Sequence, residues 1–327
     1  MHTHALISAP GMTRYFAFTA ALLMAVHASA AEFRSFGQIE AFWLQGTERS
    51  ISDLSGLAMC NGRLLTVSDK ISGTIFEILF DGADARVVPA LRIPTLPAIS
   101  ADYEFPDNLR LDADQLRNPH RMDWEGIACT ADAIYLLSEE FNAILKIENG
   151  RSEWLPTNWY PPLSKQGYLT RFNAYGEGLA ADSASHFYVA LEREPRGLLD
   201  ITLTATQPRY AVSPLPNEGV LDFHGRTEDV AGLAEHHDRL FFLERNAAAV
   251  CERSRGSWQP KSCFSFEKIE DDPEYQYRDR KYGMAEGLVV SDDWTYIVYD
   301  NNRTARVKDA NDRRALLLKI PTPPAWQ

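Results

Sequence analysis

Apolar positions along this chain fall in short runs rich in β-branched and aromatic residues, each stopped by Gly, Pro, Asn, Asp or a charged pair. Runs of this length and composition predict strands rather than helices. One pattern recurs five times. A small or acidic residue precedes a Gly, a short strand follows, and after a turn a second strand stops at a carboxylate. The copies are Ser55-Gly56-Leu57-Ala58 leading to Asp69, Glu125-Gly126-Ile127-Ala128 leading to Glu139, and Glu177-Gly178-Leu179-Ala180 leading to Glu192. Ala231-Gly232-Leu233-Ala234 leads to Glu244, and Glu286-Gly287-Leu288-Val289 leads to Asp300. From Gly to carboxylate the distances are 13, 13, 14, 12 and 13 residues, and from Gly to Gly they are 70, 52, 54 and 55. Chance does not hold both spacings together.

Each unit continues with a third strand, as at residues 74–80, 143–148, 198–203 and 248–252, and a fourth is visible at 86–93 and 258–266. Short strands, four to a unit of about fifty residues, describe the blades of a β-propeller. The expected fold is therefore all-β with five blades. A sixth blade would have to lie within residues 94–122, which lack the repeat and read as an insertion. The last unit has only three strands, ending at 315–320, so the apolar stretch 36–44 is expected to supply its outer strand and close the ring. An open β-sandwich is the competing architecture, and it leaves the constant spacing unexplained.

Strand direction converts this repeat into a site. The first two strands of a blade are antiparallel neighbours, so the start of one lies beside the end of the other. Glu125, Glu177 and Glu286 should then converge on one mouth of the central channel. Asp69, Glu139, Glu192, Glu244 and Asp300 should stand around the same mouth. So many carboxylates in one concavity raise one another's pKa unless cations intervene. Lys70, Arg193 and Arg245 each follow a strand-ending carboxylate, and Arg171 and Arg226 could approach from loops. A hard cation such as calcium is the external alternative, and Asp300-Asn301-Asn302 offers the oxygen donors it prefers. Taken singly these residues read as solvated strand ends; repeated five times they read as a binding site.

Composition narrows the partners. The formal charge is -12, and loss of Arg14 with a leader deepens it by one. An acidic chain is a poor match for nucleic acid or anionic lipid. Residues 1–30 carry one cation, the apolar run Tyr15 to Val26, and Ala28-Ser29-Ala30. These are the marks of a secretory signal peptide cleaved near Ala30, too short for a membrane span. The remainder, 31–327, is expected to be a single propeller domain in the periplasm or outside the cell. Export permits disulfides. Cys251 and Cys263 flank a turn symmetrically and are expected to pair. Cys60 and Cys129 hold similar places in two repeats and read more readily as free core thiols.

The ordered set of motifs also resembles a known family, the phytase-like domain, described too as having esterase-like activity of phytase. It is carried by Leu54-Ser55-Gly56-Leu57-Ala58 with Val67-Ser68-Asp69-Lys70, and by Asp123-Trp124-Glu125-Gly126-Ile127-Ala128 with Leu137-Ser138-Glu139-Glu140. It continues through Glu177-Gly178-Leu179-Ala180 with Leu191-Glu192-Arg193, Leu243-Glu244-Arg245, Glu286-Gly287-Leu288 and Asp300-Asn301-Asn302, over nearly the whole chain after the leader. The resemblance implies an exported propeller that hydrolyses phosphate or carboxylic esters. The chain departs from the Asp-Asp-Pro-Ala signature of true β-propeller phytases, offering only Asp271-Asp272-Pro273-Glu274 in a loop.

On this reading a calcium ion held by Asp69, Glu125, Glu139, Glu177, Glu192, Glu244, Glu286, Asp300 and Asn301 would activate water and polarise an ester. Glu125 or Glu286 would serve as general base, and Lys70, Arg193 and Arg245 would hold a small anionic or ester substrate. The alternative is a non-catalytic ligand- or protein-binding propeller with a structural calcium. No G-x-S-x-G elbow, H-E-x-x-H or glycine phosphate loop is present. His120, His224, His236 and His237 read as surface residues. Trp124, Trp159, Tyr160 and Phe172 would either line a pocket near the mouth or pack in the core.

Overall fold

The computed structural model describes Met1 and residues 31–46, 53–100, 103–105, 121–279 and 281–327. The expected leader, its cleavage point near Ala30, and His120 lie outside the described residues.

Two N-terminal strands, β1 (Glu32–Ser35) and β2 (Glu40–Trp43), precede the first repeat. Blade 1 is β3 (Leu54–Cys60), β4 (Arg63–Ser68), β5 (Thr74–Asp81) and β6 (Asp84–Arg92). Blade 2 is β7 (Trp124–Cys129), β8 (Ile134–Ser138), β9 (Ala143–Glu148) and β10 (Arg151–Trp154). Blade 3 is β11 (Gly176–Ser183), β12 (His186–Leu191), β13 (Gly197–Thr202) and β14 (Arg209–Pro214). Blade 4 is β15 (Gly232–His236), β16 (Arg239–Glu244), β17 (Ala249–Arg253) and β18 (Pro260–Ser265). Blade 5 is β19 (Ala285–Val290), β20 (Trp294–Tyr299) and β21 (Leu316–Pro321), completed by β2. The expected closure through the N-terminal segment is present: β2 pairs antiparallel with β21, Phe42 opposite Leu317. What the sequence did not suggest is β1, which adds parallel to β18 as a fifth strand of blade 4. Residues 94–100 and 103–105 form no strand; Trp154 and Tyr103 tie this segment to blade 2 through hydrogen bonds to the carbonyls of Pro97 and Leu155.

The strands read as unbroken apolar runs because each blade is covered on both faces. In β16, Leu240 and Phe242 pack toward blade 3, whereas Phe241 and Leu243 pack toward blade 5. Similar clusters fill the wedges between the other blades. At the axis β3, β7, β11, β15 and β19 are neighbours around a ring. Here the repeated glycine has its reason. A Cβ on Gly56 would lie 2.7 Å from the Ile127 nitrogen, and one on Gly178 would lie 2.6 Å from the Leu233 nitrogen. Inner strands approach so closely that no side chain fits at that level.

Cys251 and Cys263 are directly paired across β17 and β18 and form the expected disulfide. Cys60 and Cys129 are not free thiols: they form a second disulfide between blades 1 and 2. Their equivalence in the repeat is the cause. The narrow axis brings the ends of adjacent inner strands together, with Cα atoms 5.7 Å apart.

Candidate functional site

The acidic mouth is built at one end of the sheets. In each blade the start of the inner strand is registered against the end of the next: Leu54 with Ser68, Trp124 with Ser138, Gly176 with Leu191, Gly232 with Leu243, Ala285 with Tyr299. The residue after the second strand is held by one more backbone bond. Glu139 N–H donates to Asp123 O (2.9 Å), Glu192 N–H to Tyr175 O (2.9 Å) and Asp300 N–H to Met284 O (2.8 Å). A β-bulge just before the glycine, at Glu125, Glu177 and Glu286, sets an extra residue at the channel wall.

The result is a cavity of about 440 Å³. Asp69, Glu125, Glu139, Glu177, Glu192, Glu286 and Asp300 line it, together with Lys70, Arg193 and Arg245. The sequence reading missed Asp123, Asp279, Arg121, Asn173 and Tyr282, which line it too with Asn302, and Asp53 behind Asp69. A signal for some of these was available, because Asp53, Asp123 and Asp229 all stand three residues before a repeat glycine. Asp53 and Asp123 adopt left-handed backbone (φ 57° and 48°), which aspartate tolerates better than most residues.

Two expected ligands are elsewhere. Glu244 is fully buried off the cavity, clamped by Arg253 Nε (2.8 Å) and Arg196 Nη1 (2.5 Å). Pairing register explains this. Gly126, Gly178, Gly232 and Gly287 oppose Leu137, Ala190, Leu243 and Val298, and the ring residue comes two positions later. In blade 4 that residue is Arg245; Glu244, one position earlier, faces the other way. The distance of 12 rather than 13 residues in the fourth copy was its trace in the sequence. Asn301 is also buried away from the cavity, its amide nitrogen donating to the carbonyls of Thr304 (3.0 Å) and Arg313 (2.6 Å). Asn302 takes its place at the wall. Arg171 and Arg226 do not line the cavity. Trp124 and Trp159 are core residues, and Phe172 is exposed on a loop.

Arg245 occupies the ring and is spent there. Its three nitrogens donate to Glu192, Glu286 and, at 2.7 Å, Asp229 Oδ2. These carboxylates keep the guanidinium charged against the cost of burial. Among the described residues the opposite side of the mouth has no such central cation. There Asp53, Asp69 and Asp300 bring one oxygen each within 4.8 Å of one another, and Asp69, Asp123 and Glu125 do the same. Lys70 bonds Asp69, Arg121 bonds Asp123 at 3.0 Å, and Arg303 bonds Asp53 at 2.9 Å. Even so, among the described residues nine carboxylates face four cations around the cavity. Among the described residues the buried Asp69 Oδ1, Glu192 Oε2 and Glu286 Oε2 find no hydrogen-bond partner.

Burial and mutual repulsion follow through to the pKa values. Burial pushes Asp69 up to about 6 despite Lys70. Burial first, then neighbouring carboxylates, push Glu139 and Asp300 up to about 8. Glu125 and Glu286 are driven well above the usual carboxylate range by burial. Groups in this state favour either a proton or a cation, so these carboxylates could hold a metal ion.

No protein-family model matches the chain, and no curated protein matches it in sequence. Solved structures do. The glutaminyl cyclase of Myxococcus xanthus superimposes with a TM-score of 0.55 at 10% identity, over 89% of this chain and 97% of that one. The PQQ-bound aldose sugar dehydrogenase of Streptomyces coelicolor gives 0.44 at 12% identity, over 86% and 98%. At such identities the likeness to the cyclase shows the propeller fold alone.

Proposed function

We propose that the acidic mouth binds calcium, and that the exported chain uses it to hydrolyse phosphate or carboxylic esters, as the phytase-like family it resembles implies. The observation that carries this reading is the pair of carboxylate triads sharing Asp69, whose buried Oδ1 has no partner among the described residues. All the donors are oxygens, which suits a hard divalent ion. Calcium bound by Asp69 with Asp53 and Asp300 would polarise an ester oxygen and acidify a water. Glu125, on the cavity wall, would accept the proton from that water. Lys70, Arg121 and Arg193 would orient the anionic part of the substrate. Arg245 is assigned a structural part, because each of its nitrogens is already bonded. Two disulfides fit an oxidising compartment, the periplasm or the exterior.

One observation favours the second reading, a binding propeller with a structural cation. The four cations that line the cavity are all paired with carboxylates already. The two readings separate on purified protein. Metal analysis is followed by turnover of p-nitrophenyl phosphate, p-nitrophenyl acetate and phytate, with and without chelator. Ester hydrolysis predicts that Asp69→Asn loses both calcium and turnover, while Glu125→Gln keeps most of the calcium and loses turnover. Calcium without turnover supports the structural cation, and a chain free of calcium at saturation sinks both.

A further inference from the structure

The other mouth of the channel brings two imidazoles to a carboxylate. Below the glycine neck the inner strands line a funnel of about 300 Å³, with Glu235, His236 and Ser291 on its wall. β15 ends at His236, and the turn into β16 carries His237 and Asp238, both with left-handed backbone (φ 51° and 58°). That turn leaves the two imidazoles side by side, ring centroids 3.9 Å apart. The turn between β19 and β20 brings Asp292 to them. Its Oδ1 is 2.7 Å from His237 Nε2 and 3.2 Å from His236 Nε2. The first contact is a hydrogen bond. The second nitrogen is buried and makes none. All three donor atoms lie within 4.8 Å of one another.

Two donors each at zinc-bonding distance and tetrahedrally arranged would be about 3.4 Å apart, close to the 3.2 Å between His236 Nε2 and Asp292 Oδ1. We propose that His236, His237 and Asp292 form a binding site for a zinc-type transition-metal ion, with its fourth position open toward the funnel. Nitrogen donors set its preference apart from that of the oxygen-only mouth: imidazole suits zinc, and carboxylates alone suit calcium. The support behind the turns is fixed. Gln327 donates to the Asp292 carbonyl at 3.2 Å, and Arg239 Nη1 donates to the Ala325 carbonyl at 3.1 Å. This site is independent of the ester-hydrolase reading, since none of its residues lines the acidic cavity.

The test is calorimetric titration of the full chain with zinc chloride, after chelation and in excess calcium so that the acidic mouth is filled. One zinc ion per chain is expected. His237→Ala, a change at an exposed side chain, should weaken binding by about tenfold or more, and Asp292→Asn should weaken it as well. Asp69→Asn should leave zinc binding unchanged, and cobalt bound in place of zinc should show the visible absorption of a four-coordinate nitrogen–oxygen site. Absence of stoichiometric zinc, or zinc uptake indifferent to both His237→Ala and Asp292→Asn, overturns the proposal.

Discussion

Arg245 shows how one residue reorganises a site. It stands where the repeat elsewhere places a carboxylate, and it bonds Glu192, Glu286 and Asp229 at once. Removing a partner from a buried ion network leaves charges that nothing solvates, at a cost of about 3–5 kcal/mol. Arg245→Gln should therefore lower unfolding free energy in urea by about that amount. Glu286→Gln in the same chain should recover part of the loss. Full stability in the single variant would mean that the guanidinium is not the tie it looks to be.

Among the elements, the inner strands combine two demands that pull on the same few residues. The glycines let five strands close around the axis, and the bulges beside them turn glutamates into the channel. Gly178 tests the first demand, because its added Cβ would meet the backbone of blade 4 rather than a side chain that can yield. Overpacking of this kind costs about 1–3 kcal/mol, so Gly178→Ala should lower the thermal midpoint measurably. Gly37→Ala, where a Cβ meets nothing within 4 Å, should change stability by no more than roughly 0.5 kcal/mol. Equal effects of the two changes, followed by circular dichroism, would remove the neck from the account.

Across the whole molecule the acidic mouth couples stability to pH. Asp69, Glu139 and Asp300 have folded-state pKa values of about 6, 8 and 8, above their ordinary values. A raised pKa means that the folded state holds the proton more firmly, so this contribution is full below about pH 4 and is lost as pH rises through about 6 to 8. In chelator, the thermal midpoint should fall between pH 5 and pH 8.5 by an amount that calcium largely restores, where roughly these limits bracket the titrations. Calcium should stabilise more at pH 8 than at pH 5, because binding there displaces fewer protons. A calcium effect independent of pH would place the ion away from these three carboxylates.

Local order was legible in the sequence because it rests on short-range rules. Period, turn residues and the constant Gly-to-carboxylate distance specified five blades, their strands and the closing segment before residue 45. Strand direction alone then sent most of the repeat carboxylates to one mouth. Register across strands is a different matter. A one-residue offset reverses the face on which a side chain emerges, so only the pairing of Gly232 with Leu243 removed Glu244 from the ring and installed Arg245. Contacts around the axis were equally hidden, since the Cys60–Cys129 bridge and the meeting of His236, His237 and Asp292 join residues of different blades. Such contacts depend on how tightly five sheets pack about a common line, a distance that no single stretch of sequence encodes.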